Sequence, residues 1–229
     1  MQLDPHMAVR TMVAMGLVFI GLATLVLWTG RLYPGYRRWL WAGPLTVLSF
    51  FLLNLRPKAP DWVSIVAANA VLVLASIFHL EGAHEFRGLP ARRRLVYTGG
   101  VVAIGGVAFF LYIVPNLNAR AAVMSTFLAV VFMRSSIALL GANPPMHRLG
   151  LRLTGTLSGL CAATHIVRVV YCTFGPPLAD VFALSGLNGA LFSLISVEVS
   201  LLPIGYILLA LLCYKCLESE RVWCDTGEP

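Results

Sequence analysis

An all-α bundle of seven membrane-spanning helices, with the N-terminus outside and the C-terminus in the cytoplasm, is the fold this sequence predicts. Three observations lead there. Hydrophobic residues fill 59% of the 229 positions and charged residues only 12%, which leaves too little polar surface to cover a soluble globule of this size. Charge-free intervals from Arg10 to Arg31, Asp61 to Glu81 and Arg94 to Arg120 each have room for one span, because a hydrocarbon core of roughly 30 Å needs about 20 apolar residues at about 1.5 Å each. The third observation is the uneven sharing of Lys and Arg between alternate loops.

The spans read as 8–29, 38–55, 61–80, 95–114, 120–140, 151–173 and 187–213, separated by turn formers such as Tyr33-Pro34-Gly35, Leu89-Pro90, Val114-Pro115-Asn116 and Gly175-Pro176-Pro177. A β-barrel would need alternating segments of about 10 residues instead of long apolar runs. Eleven basic residues, among them Arg37, Arg38, Arg92, Arg93, Arg94 and Lys215, fall on one side of this topology. Arg10, Arg56, Lys58 and Arg120 fall on the other, so the positive-inside rule assigns the larger set to the cytoplasm. Residues 1–217 then form one transmembrane domain and 218–229 a short cytoplasmic tail. No cleavable leader pattern precedes the first span, which is expected to be retained.

The formal charge of +7 is dispersed over short loops and reads as topology and contact with anionic lipid heads, not as a nucleic-acid footprint. Five cysteines, with Cys161 and Cys172 inside a span, do not make a secreted disulfide framework.

Three stretches carry a family resemblance. The opening Met1-Gln2-Leu3-Asp4-Pro5, the segment from Pro60-Asp61-Trp62-Val63-Ser64-Ile65 through Ala68-Asn69-Ala70 to Leu74, and Glu85-Phe86-Arg87-Gly88-Leu89-Pro90 resemble the membrane-embedded N-terminal region of bacterial diguanylate cyclases of the GGDEF type. Glu218-Ser219-Glu220-Arg221 is similar to the start of that family's exit helix. The resemblance implies a sensory input module in the bacterial cytoplasmic (inner) membrane that passes a helix movement to a cytoplasmic output. No GGDEF or GGEEF pattern is present, so it implies neither cyclase activity nor any enzyme, and the output is expected in trans. Candidate partners are therefore the lipid bilayer, a cytoplasmic signalling protein and a second copy of the chain. The family's ligands are mostly undefined, so no binding residue and no cofactor follows from it.

The residues themselves offer one candidate pocket. Thr154, Ser158, Cys161, His165, Arg168 and Cys172 are spaced to form one stripe on the sixth span, a stripe that should face protein or water. Gly155 and Gly159 lie on its edge and permit close helix contact. An arginine at this depth costs about 2.5–3.5 kcal/mol unless paired or hydrated. Glu198 in the seventh span is the expected partner, because both residues lie about 25 Å from their cytoplasmic ends. Gly189, Ser193, Ser196 and Ser200 form a second stripe on that span. The site read from sequence is thus His165, Arg168, Glu198, Cys161 and Ser196, either a ligand pocket open to the outside or a buried pair that fixes helix register. The same group would suit a small transporter with a midmembrane site. No nucleophile, base and metal set marks an enzyme.

Other constellations are weaker. His79, Glu81, His84 and Glu85 have ligand chemistry but the wrong helical spacing for a metal. A bis-histidine haem is disfavoured by the different depths expected for His79 and His165. Cys213 and Cys216 have redox spacing without a redox fold. Arg134 is expected to snorkel to the inner interface. A retinal protein would need a lysine in the middle of the seventh span, and Lys215 is at its end.

Overall fold

The structure, a computed structural model, describes residues 34–56, 58–90, 93–141 and 148–178, with Gly21, Leu191 and Leu194 as isolated positions. The first and seventh spans, Glu198, Ser196, Cys213, Cys216, Lys215 and the tail 218–229 lie outside the described residues. Among the described residues there are five α-helices and no strand. These are α1 (Tyr36–Asn54), α2 (Ala68–Phe86, preceded without a break by a π-helical stretch Trp62–Ala67), α3 (Arg93–Tyr112), α4 (Leu117–Leu140) and α5 (Arg148–Phe174).

Four of these are long and apolar enough to cross a membrane, namely Trp62–Phe86, Arg93–Tyr112, Leu117–Leu140 and Gly150–Phe174. They mark a membrane protein and match spans three to six of the sequence reading within a few residues. Helix α1 coincides with the second expected span but is more polar, with Arg37 and Arg38 in its first turn and Pro44 inside it.

The turns form where the sequence places them. Gly35, at φ 86°, caps the start of α1 in the left-handed region that a side chain disfavours. Gly88, at φ 63°, reverses the chain after α2. Asn116 caps α4, its side-chain oxygen accepting from the Ala119 N–H at 3.0 Å. Gly175 ends α5 by donating to the Tyr171 carbonyl at 2.7 Å, just before two prolines.

Packing is closest where small residues let backbones approach. A Cβ on Gly155 would fall 2.7 Å from Leu140 Cγ, and one on Gly159 would fall 3.0 Å from Ser136 Oγ. The α4–α5 hairpin is accordingly the most extensive helix pair. Asn118 closes its far end, donating to the Cys172 and Pro176 carbonyls at 3.2 and 3.3 Å and accepting from Leu178 N–H at 2.8 Å. On the other side of the bundle, buried Ser49 in α1 donates to the Ala68 carbonyl of α2 at 2.8 Å.

Near the opposite end of α1, Gly82 leaves room for the Trp39 indole, whose Nε1 donates to the His79 carbonyl at 3.0 Å. A Cβ on Gly82 would collide with that indole. Gly82→Val should therefore lower stability by about 1–3 kcal/mol through overpacking, read as a reduced unfolding midpoint of the detergent-purified protein. Gly105→Val, where a Cβ meets nothing, should leave the midpoint nearly unchanged.

Candidate functional site

The helices run antiparallel, and this connectivity gathers polar residues at two poles. One pole joins the start of α1, the end of α2 and the start of α3. There Arg38 reaches Glu81 and Glu85, each at 3.1 Å, and Arg93 reaches the same two carboxylates, each at 3.3 Å. Phe78 completes the seat of Arg38, whose guanidinium lies 5.4 Å from the ring centroid. The Tyr97 hydroxyl also meets Glu81. Glu81 is the deepest member, with its side chain only 5% exposed.

In the sequence Glu81 and Glu85 stand only as members of a ligand-like group with the wrong spacing for a metal, a reading that does not include this cluster. The signal was available: two carboxylates four residues apart share a helix face, and the flanking hairpins return Arg38 and Arg93 to the same end. The remaining members of that proposed ligand group go elsewhere. His84 Nδ1 lies 3.4 Å from the Pro90 carbonyl oxygen, and His79 is buried against Phe132. No group of three His, Cys, Asp or Glu side chains is placed to hold a metal among the described residues.

The other pole holds a cavity of about 110 Å³ to which all five described helices contribute. The polar residues of its lining are Arg56, Asn69, Arg120, Ser125, His165 and Arg168, and the apolar ones include Phe50, Leu72, Val107, Leu128 and Phe132. Each arginine comes from a helix end on this side: Arg56 just follows α1, Arg120 is in the first turn of α4, and Arg168 is about 9 Å from the Phe174 end of α5. Asn69 is held in place by donating to the Ile65 carbonyl at 2.7 Å, across the π-helical stretch.

The sequence-predicted stripe on α5 is buried as expected: Thr154, Ser158, Cys161, His165 and Cys172 are all buried. It divides in two. His165 and Arg168 line the cavity, whereas Cys161 packs into the hydrophobic core with Leu151 and Ala162. The hydroxyls of Thr154 and Ser158 turn back to carbonyls of their own helix, at 2.8 and 2.9 Å.

The depth difference expected between His79 and His165 is not found. His165 stacks on Phe132 at a centroid separation of 6.0 Å, and His79 meets the same ring edge-on at 5.3 Å. Gly155 abuts Leu140, so the first turns of α5 project past the end of α4 and counting from Arg152 overstates the depth of His165. Arg134 is half-buried, six residues before the end of α4.

Two cavity residues, Arg56 and Arg120, were read from sequence only as loop charges on the outer side. Their convergence on Arg168 requires the hairpin register and is invisible to a count of charges. Among the described residues, Nε and Nη1 of Arg120 and Nε and Nη2 of Arg168 are buried without a hydrogen-bond partner, as are Ser125 Oγ and His165 Nδ1. Asp61, exposed at the start of the π-helical stretch, is near enough to attract Arg120.

Compared with family models, curated proteins and solved structures, the chain matches none.

Removing one partner of a buried charge group leaves the others desolvated without compensation. Glu81→Gln should therefore cost about 3 kcal/mol, the low end for such a loss because Glu85 still holds both arginines. Glu85→Gln, at a more exposed carboxylate, should cost about 1 kcal/mol or less. Unfolding midpoints of the two variants, measured side by side, check the order.

Proposed function

We propose that the chain is a seven-span sensory input module of a bacterial cytoplasmic membrane, with the cationic cavity opening toward the outside and the Arg38, Glu81, Glu85, Arg93 cluster at the cytoplasmic face. The observation that carries this reading is the cavity itself, in which the guanidinium groups of Arg120 and Arg168 carry buried nitrogens without hydrogen-bond partners among the described residues. Buried cations beside apolar side chains are costly for folding alone, a cost that a bound ligand of opposite charge would offset. The resemblance of the chain to the membrane region of GGDEF-type diguanylate cyclases points to signalling as the use of that site.

The polarity of the site supports sensing over transport. A transporter holds its substrate near the midplane and exposes it to each side in turn. Here Arg56, Arg120 and Arg168 sit toward one end of their helices, and the opposite end of the bundle is tied by four charged side chains. Ligand binding that draws Arg120 of α4 and Arg168 of α5 together changes the relative stability of two helix arrangements, which is the requirement for a switch.

With a cyclase domain fused after Arg221, output should respond to external solutes in the parent protein and lose that response in Arg168→Leu. An unchanged response in Arg168→Leu, at equal expression, would overturn the reading. In a cysteine-free background, Ile113→Cys should react with an impermeant maleimide in intact cells, and Arg94→Cys should react only after permeabilisation. The reverse pattern would invert the topology.

A further inference from the structure

We infer that the cavity binds a short-chain monocarboxylate of about two to four carbons, taking the cavity to be the recognition site proposed above. The charge of the ligand follows from the polar part of the lining. Arg56, Arg120 and Arg168 converge there, and among the described residues the acid that attracts Arg120 is Asp61, exposed and outside the lining. Guanidinium groups present forked donors that match a planar carboxylate, and the unpartnered nitrogens of Arg120 and Arg168 are donors of this kind. Ser125 Oγ and His165 Nδ1, also buried without partners among the described residues, add two further polar atoms to the lining.

The rest of the ligand follows from the apolar part of the lining and from volume. Phe50, Leu72, Val107, Leu128 and Phe132 present only hydrocarbon and aromatic surface. A multiply charged oxyanion such as phosphate would need donors on every side and would leave oxygens facing this surface unsatisfied. A monocarboxylate directs its two oxygens to the arginines and its methylene groups to the apolar side chains. A cavity of about 110 Å³ is comparable to the ~150 Å³ apolar cavity that takes up the six carbons of benzene, which suits an acid of acetate to butyrate size. Asn69, at the end of the π-helical stretch, adds an amide to the rim.

The test uses the full chain, purified in detergent and titrated with sodium acetate, propionate, butyrate, hexanoate and octanoate, with chloride and phosphate at matched ionic strength. Binding is read by calorimetry and by the shift of the unfolding midpoint. Propionate or butyrate should bind tightest, and octanoate should bind about tenfold more weakly or worse. Arg168→Gln and Arg120→Gln should each weaken butyrate by about tenfold or more. Either variant suffices if the other fails to fold. Leu72→Phe, which adds bulk to the apolar part of the lining, should move the preference toward acetate, a change that loss of general surface charge would not produce.

The inference is overturned if no acid binds the parent protein, if phosphate or chloride binds as tightly as butyrate, or if every folded arginine variant binds butyrate unchanged. Binding and signalling fail separately. Carboxylate binding without any effect on the fused cyclase would sustain the ligand class and remove the sensory reading, whereas Arg168-dependent output without carboxylate binding would do the opposite.

Discussion

The arrangement of the bundle depends on one buried carboxylate. Glu81 sits where α1, α2 and α3 meet, nearly out of contact with solvent, and is neutralised by Arg38 from one neighbour and Arg93 from the other. A carboxylate in that position without cations would be several kcal/mol less stable than in water, so the fold of α2 carries with it a requirement for both adjoining helices in this register. The close contacts nearby follow the same logic. Gly35 and Gly82 bring α1 against α2 closely enough for Arg38 to reach, and the Trp39 indole fixes the approach through the His79 carbonyl.

Charge is balanced differently at the two poles. At the first, two arginines face two glutamates. At the second, three arginines share a cavity whose described lining contains no acid. Among the described residues, the bundle is thus anchored where its charges cancel. Phe132 lies between these poles, in contact with His79 of α2 and His165 of α5. It joins the helix that bears Glu81 to the helix that bears Arg168 through a packed aromatic path.

Much of the fold was legible in the sequence because long apolar runs admit one solution in a bilayer, and the turn formers at Gly35, Gly88, Asn116 and Gly175 act locally. The burial of the α5 stripe was legible for a similar reason, since a three-and-four spacing of Thr154, Ser158, Cys161 and His165 fixes a common face whatever packs against it. What could not be read is which stripes meet. Arg56 and Arg120 look like ordinary loop charges until α1 and α4 are set side by side. Glu81 looks like an interfacial acid until Arg38 and Arg93 return to it. Depth was misjudged for His165 because α5 begins beyond the end of its neighbour, an offset set by Gly155 against Leu140 and not by composition. The expected Arg168–Glu198 pair lies outside the described residues.

The wide turn of Trp62–Ala67 has a consequence of its own. A helix with i to i+5 bonding accommodates more residues per revolution than an α-helix, so residues ahead of it are out of phase with those that follow, by about 100° for each residue gained. Trp62 can point outward, 63% exposed, while Asn69 and Leu72 face the cavity and Ile77 faces the core. Shortening this stretch by one residue would restore the phase and swing the tryptophan and the preceding loop around the helix axis, leaving the lower half of the helix where it is. This end of the helix is in this sense geared independently of the shaft it stands on.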